Sequence, residues 1–309
     1  YDLNRNVTSI IPPGKPEHGF SYTALDLEET YTPPNTGNGN TQTRYEYNQD
    51  KDITKIIRPD GKEIHFSYNA RGDLQTITAP SGNITCTYDL QKLYLTGVET
   101  GIGNRVDYTK DGLLLTEEKW SGLVNGQVNW TYDNTFRAVS QSVNGGNIVN
   151  YAYDNDGLLI RSGDLAVTRN NQNGMIQGTT LGNVTDSIIY NPFGETETYT
   201  ANYGASVIYA SAYVRDNKGR ITQKTETIGG VTAVYSYTYD VADRLSQVTK
   251  NGAVISVYSF DANGNRLTAP NIASLPVYDD QDRLISYGDY SYAYTANGEL
   301  QTKTNTQTT

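Results

Sequence analysis

The chain has 309 residues, enough for one large domain or two ordinary ones, and Leu, Ile, Val and Phe supply only about a fifth of them. Its 26 tyrosines argue against disorder, because each ring buries apolar area while its hydroxyl reaches water, so a Tyr-rich, partly polar strip suits the composition better than a dry globule. A formal net charge of −10, with no Lys- or Arg-rich run, argues against nucleic acid, polyanions and anionic membrane as general partners.

In chain order the first element is "YDLNRNVT" from Tyr1, an aromatic–Asp pair followed by a polar turn. Residues 11–44 carry half of the 10 prolines and read as an extended Pro/Gly-rich connection with one strand pair inside "HGFSYTALDLEETYT". From there the aromatic before each Asp, or its substitute, recurs at Tyr47, Tyr68, Tyr88, Tyr108, Tyr132 and Tyr153. The series resumes at Tyr190, Tyr213, Tyr239, Phe260, Tyr278 and Tyr294. A degenerate copy, with Arg169 in the tyrosine place, fills the gap between Tyr153 and Tyr190. Most steps lie between about 16 and 26 residues, so the fold is a repeat architecture.

One period is legible between Arg58 and Leu90. Turn signals at "RPDG", "NARG" (ending in Gly72) and "PSG" bracket the short β-rich runs "KEIHFSY", which ends in Tyr68, and "DLQTITA". Each period is therefore one hairpin. In the fullest copies the Asp opens the turn and accepts backbone N–H groups, and a glycine supplies positive φ. These are Tyr153-Asp154 with Gly157, Tyr239-Asp240 with Arg244, Phe260-Asp261 with Gly264 and Arg266, and Tyr278-Asp279 with Arg283. Each arginine is expected to lay its stem along a ring and its head near the turn aspartate. Tyr235, Tyr237 and Tyr239 alternate onto one face of a strand, and Tyr290, Tyr292 and Tyr294 do the same. No stretch keeps a 3.6-residue period, so little helix is expected. Thirteen or so hairpins would lay about 26 antiparallel strands side by side, a strip of about 120 Å at ~4.8 Å per strand, which must curl.

Catalytic chemistry finds little support. His65 falls in an alternating strand, His18 in the Pro-rich connection, and Cys86 has no histidine near it in sequence. Two His and one Cys form no zinc pattern, and the "DNDG" and "DANGN" turns lack the ligand spacing of a calcium loop. No catalytic, cofactor or metal site is expected. No apolar run approaches the ~18 residues needed to span a bilayer, so no membrane insertion is expected.

The motif at Tyr239-Asp240, Phe260-Asp261 and Tyr278-Asp279 resembles the YD repeat of bacterial Rhs proteins, Tc toxin cocoon subunits and teneurins, and the likeness runs along essentially the whole chain. That resemblance implies an all-β fold of hairpins of about 20 residues in a long curved sheet that spirals into part of a hollow shell. Residues 1–309 then read as a single shell segment, an internal piece of a larger exported or cell-surface protein. The implied function is a non-enzymatic wall enclosing a C-terminal polypeptide, a toxin in bacterial members. Its partners are then the remaining shell segments and that polypeptide. Two alternatives are a teneurin-like adhesion module working through the convex face with an extracellular protein, and a glycan-binding domain. The Asp-Pro-x-Gly sequence that closes bacterial shells has no counterpart here.

Overall fold

Alternating short strands separated by Asx-rich turns should give a meander, and the computed structural model, which describes residues 1–37, 39, 41–268 and 275–306, is one. Among these residues there is no helix. Of the 28 strands among the described residues, 24 belong to one sheet, and the last four form a second. Pairing is antiparallel between strands consecutive in the chain, as where Ser206–Arg215 pairs with Ile221–Ile228 and that strand with Val231–Tyr239. The large sheet does not close into a barrel.

The chain divides into two compact units. The first comprises Tyr1–Asp107, Trp120–Val124 and Ser259–Thr309; the second comprises Tyr108–Lys119 and Asn125–Tyr258. In the second unit the ladder runs from Gly126–Tyr132 to Ala253–Val257 without a crossover. The first unit holds the ladder from Ser9–Ile10 to Leu95–Thr100, and also the small sheet of Val277–Tyr278, Leu284–Tyr287, Tyr290–Tyr294 and Leu300–Asn305.

Long and short turns alternate because the two edges of the meander differ. On one edge the turn is tight, as at Gly204 and Gly252, both with positive φ. On the other a wider turn sets Tyr68 opposite Leu74 and Tyr239 opposite Leu245, and the register shifts one residue before each tyrosine. Such a bulge adds local right-handed twist, and here it recurs once per hairpin. The strand pair expected within residues 11–44 is present. His18–Tyr22 and Glu28–Thr32 form an ordinary hairpin, with Tyr22 opposite Glu28 at the same bulge.

A layered domain would bury one face of each sheet. Here the buried residues among those described are Ala201, Val248, Thr41 and Ser211 with Pro34, Pro276, Gly97 and Gly178, and no large side chain is fully enclosed. The sheet is a single layer. One face carries the tyrosine rows. The other carries hydroxyl pairs across adjacent strands, with Ser67 Oγ 2.6 Å from Thr76 Oγ1 and Thr131 Oγ1 2.6 Å from Ser140 Oγ. Such pairs suit a wet face and add modestly to strand pairing.

Within the first unit the small sheet docks on the N-terminal strands edge to edge. Lys15 Nζ donates to the Asp279 carbonyl at 2.6 Å, Gln281 Nε2 to the Pro34 carbonyl at 2.6 Å and Arg283 Nη2 to Thr36 Oγ1 at 2.8 Å. Arg58 Nη2 meets Glu299 Oε1 at 2.7 Å, and Asn297 Nδ2 donates to Asp60 Oδ2 at 3.0 Å. The contacts keep chain order: wide turns of late repeats sit on the opposite-edge loops of early ones. The prolines of residues 11–44 therefore have a use, since Pro34 presents a carbonyl in a loop with little freedom.

The fourth turn residue has positive φ whatever its identity, +89° at Gly264 and 65° at the exposed Phe136. Replacing Phe136 by glycine should raise unfolding stability by about 0.5–1 kcal/mol, whereas Gly264→Ala should lower it by roughly 1 kcal/mol. Chemical denaturation of both variants checks the opposite signs; equal signs would mean that the turn backbone is not under this constraint.

Candidate functional site: the tyrosine–aspartate turn

Each wide turn is built around its first side chain. Asp240 Oδ1 accepts the backbone N–H groups of Ala242 and Arg244, both at 2.9 Å, and its Oδ2 accepts Arg244 Nε at 2.8 Å. Asp279 repeats the arrangement with Gln281 and Arg283, and Asp133 with Thr135 and Arg137. Asp154 accepts the N–H groups of Asp156 and Leu158. Where asparagine stands first, as at Asn69, the amide oxygen does the same work, and Gly72 N–H closes the turn on the Asn69 carbonyl at 3.0 Å.

The preceding tyrosine reaches back across the sheet. Tyr68 hydroxyl donates to the Ile53 carbonyl at 2.8 Å, Tyr153 to Ala138 at 2.7 Å and Tyr239 to Ile221 at 2.6 Å. Tyr278 donates to the Arg266 carbonyl at 3.0 Å and Tyr294 to that of Leu284 at 2.8 Å. Ile53, Ala138, Ile221 and Leu284 each lie opposite the previous repeat's tyrosine or its substitute, where the register shifts. Partial burial raises the Tyr68 pKa above its ordinary value, with the Asp52 charge adding to it, so the hydroxyl stays a donor at neutral pH. The arginines complete the link. Arg137 lies 4.8 Å from the Tyr153 ring centre, Arg220 4.5 Å from Tyr239 and Arg283 4.8 Å from Tyr294. Each guanidinium thus touches its own turn aspartate and the tyrosine of the next repeat.

A residue-by-residue match over the whole chain supports this geometry: the model of the teneurin YD-shell matches residues 1–308. The chain belongs to the teneurin YD-shell family. It is 25% identical to zebrafish (Danio rerio) teneurin-3 over 97% of this chain and 12% of that protein. It is 28% identical to human teneurin-4 over 83% of this chain and 9% of that protein. The YD-shell chain thus spans about a tenth of the length of these relatives. The crystal structure of TcdB2-TccC3-TEV shares its fold with a TM-score of 0.64 at 11% identity, over 93% of this chain and 19% of that one.

Two positions of the aromatic series, Tyr213 and Tyr108, fall elsewhere in the YD-shell fold. Tyr213 stands two residues before the turn, and Arg215 occupies the tyrosine slot, opposite Ile221, with Nη1 donating to the Gly219 carbonyl at 3.0 Å. Tyr108 lies inside the strand Arg105–Asp111, which ends in a tight turn at Gly112 and Leu113. Tyr22, absent from the series, fills its slot and donates to the Val7 carbonyl at 2.9 Å. Arg169 takes the tyrosine slot too, donating through Nε to the Leu159 carbonyl at 2.9 Å. In the copy at Phe260-Asp261 the slot that bonds the aspartate belongs to Asn265, and Arg266 instead donates to Tyr287 hydroxyl at 2.7 Å. The position of Asp-x-x-Gly, rather than of the aromatic, is the signal that would have found Arg215.

The carboxylates are acid-sensitive fastenings. Asp240 is held below the usual carboxylate range by the Arg244 backbone N–H and side chain, and Asp133 by Thr135 and Arg137. A lowered folded-state pKa contributes stability that is present above the unfolded value near 3.9 and lost as pH falls through the folded one. Thermal melts should therefore stay level down to about pH 4 and fall below it, and Asp240→Asn should flatten that fall. A melt that rises on acidification would contradict this. The arginines should differ by burial: Arg283 is 15% exposed and also holds Thr36, whereas Arg137 is 37% exposed. Arg283→Ala should cost about 2 kcal/mol and Arg137→Ala clearly less. Equal losses in urea titrations would mean that edge docking adds nothing.

Proposed function

We propose that this chain is a wall segment of a YD-repeat shell that encloses a C-terminal polypeptide, a toxin, within a larger exported or cell-surface protein. The observation that carries the reading is a sheet with few buried residues and many exposed apolar side chains among the described residues. A sheet of this kind gains stability from contents, from further wall, or from both. The family membership supports the wall, and the edge docking of late repeats on early ones supports courses laid against one another. The role is mechanical, keeping proteases and partners from the contents and turning over no substrate.

The test uses the natural full-length protein that carries this segment. After purification it is incubated with a broad-specificity protease, and the C-terminal part is followed by mass spectrometry with and without mild denaturant. The expected result is a C-terminal polypeptide resistant in the native protein, whether or not it is already cut from the wall, and digested once the wall is opened. A C-terminal part digested at the same rate in both conditions refutes encapsulation and transfers the reading to cell-surface adhesion.

A further inference from the structure

In the second unit the face that carries the tyrosine slots holds a hollow with a buried hydroxyl in its lining. Counting back from the turn, the strand Val231–Tyr239 places Tyr239, Tyr237 and Tyr235 on one face, whereas Ser206–Arg215 places Arg215, Tyr213 and Ser211 there. Ser211 thus stands where the next hairpin has Tyr235. Its direct cross-strand neighbours are Tyr199 on one side and Glu226 on the other, and Tyr209 and Tyr213 flank it along its own strand. The hollow lined by Ser211, Tyr199, Tyr209 and Tyr213 has a volume of about 420 Å³.

Ser211 is 4% exposed, and its hydroxyl has no hydrogen-bond partner. A buried hydroxyl without a partner is costly, on the order of 1–3 kcal/mol, and calls for an occupant that bonds it. The other polar groups narrow the choice. Tyr209 hydroxyl donates to Glu226 Oε1 at 3.2 Å, and Tyr199 hydroxyl to Asp186 Oδ2 at 3.4 Å, so carboxylate oxygens stand behind two of the rings. Both nearby cations are engaged, Lys224 with Glu226, and Arg215 with Glu195 and the Gly219 carbonyl. An anion would meet two carboxylates and no uncommitted cation. An aliphatic side chain would leave Ser211 unpaired. A pyranose ring offers what both parts require, an apolar C–H face for the aromatic walls and hydroxyls for Ser211 and the carboxylates.

We infer that the hollow at Ser211, walled by Tyr199, Tyr209 and Tyr213, is a binding site for a neutral sugar ring. The site stands independently of the encapsulation reading, since it requires only this face of the second unit.

The test titrates the chain with methyl β-D-glucopyranoside and methyl β-D-galactopyranoside by saturation-transfer NMR, with N-acetylneuraminic acid and a Trp-containing tripeptide alongside. Transfer is expected to at least one neutral glycoside, with none to the acidic sugar or the peptide. Ser211→Tyr places here the ring that the next hairpin carries as Tyr235 and fills the hollow, so it should abolish binding without lowering the melting temperature. Ser211→Ala keeps the space and removes the hydroxyl, and should weaken binding about tenfold. Should Ser211→Tyr fold poorly, Ser211→Ala decides alone. No transfer to either neutral glycoside, equal binding of the acidic sugar, capture of the peptide instead, or unchanged affinity in Ser211→Ala overturns the inference.

Discussion

A tyrosine hydroxyl that crosses the sheet to the carbonyl where the previous hairpin changes register is the contact on which the rest depends. A bulge disturbs the ladder at one residue per hairpin, and each disturbance falls under the ring of the next repeat. Tyr68 over Ile53, Tyr153 over Ala138 and Tyr239 over Ile221 are one device used again. The ring lies along the sheet to reach that carbonyl, and so covers the strands beneath it. In a layer without a core this cover replaces the second sheet or helix that another fold would supply.

The turn aspartate and the arginine follow from that device. A hydroxyl delivered to a fixed carbonyl requires the turn before the next strand to have one shape, and the carboxylate of Asp240 or Asp279 holds that shape through two backbone N–H groups. Where an arginine closes the turn, as at Arg137, Arg220 and Arg283, it ties the carboxylate to the neighbouring ring, so that repeat is fastened to the next by a charge-assisted bond and a cation–π contact. Stability is spread over many similar joints, as in other repeat folds, and no single joint need be strong. Substitution of one partner is tolerated where the geometry survives: Arg169 and Arg215 reach backbone carbonyls from tyrosine slots.

The two edges of the meander divide the remaining work. Wide turns project polar side chains that can reach another course of the sheet, as Gln281 and Arg283 reach Pro34 and Thr36. The face between the edges is free to vary wherever a ring can be spared. At Ser211 a buried hydroxyl without a partner lies in the lining of a hollow, and this points to binding rather than to support.

The sequence by itself determined the hairpin period, the all-β class, the strand alternation and the chemistry of each Asp-led turn, because all of these are local. A turn needs its own four or five residues, and a strand face needs only a period of two. Register at the degenerate copies was beyond it. Tyr213 and Arg215 both precede a turn-forming run, and only the pairing of Arg215 with Ile221 decides between them. Tyr108 and Tyr22 differ in the same way, one lying inside a strand and the other filling a slot that no aspartate announces. The partners of Lys15, Pro34 and Arg58, and the hollow at Ser211, were decided by the tertiary structure alone. They join residues distant in the chain or on separate strands, and no local propensity encodes a contact of that range.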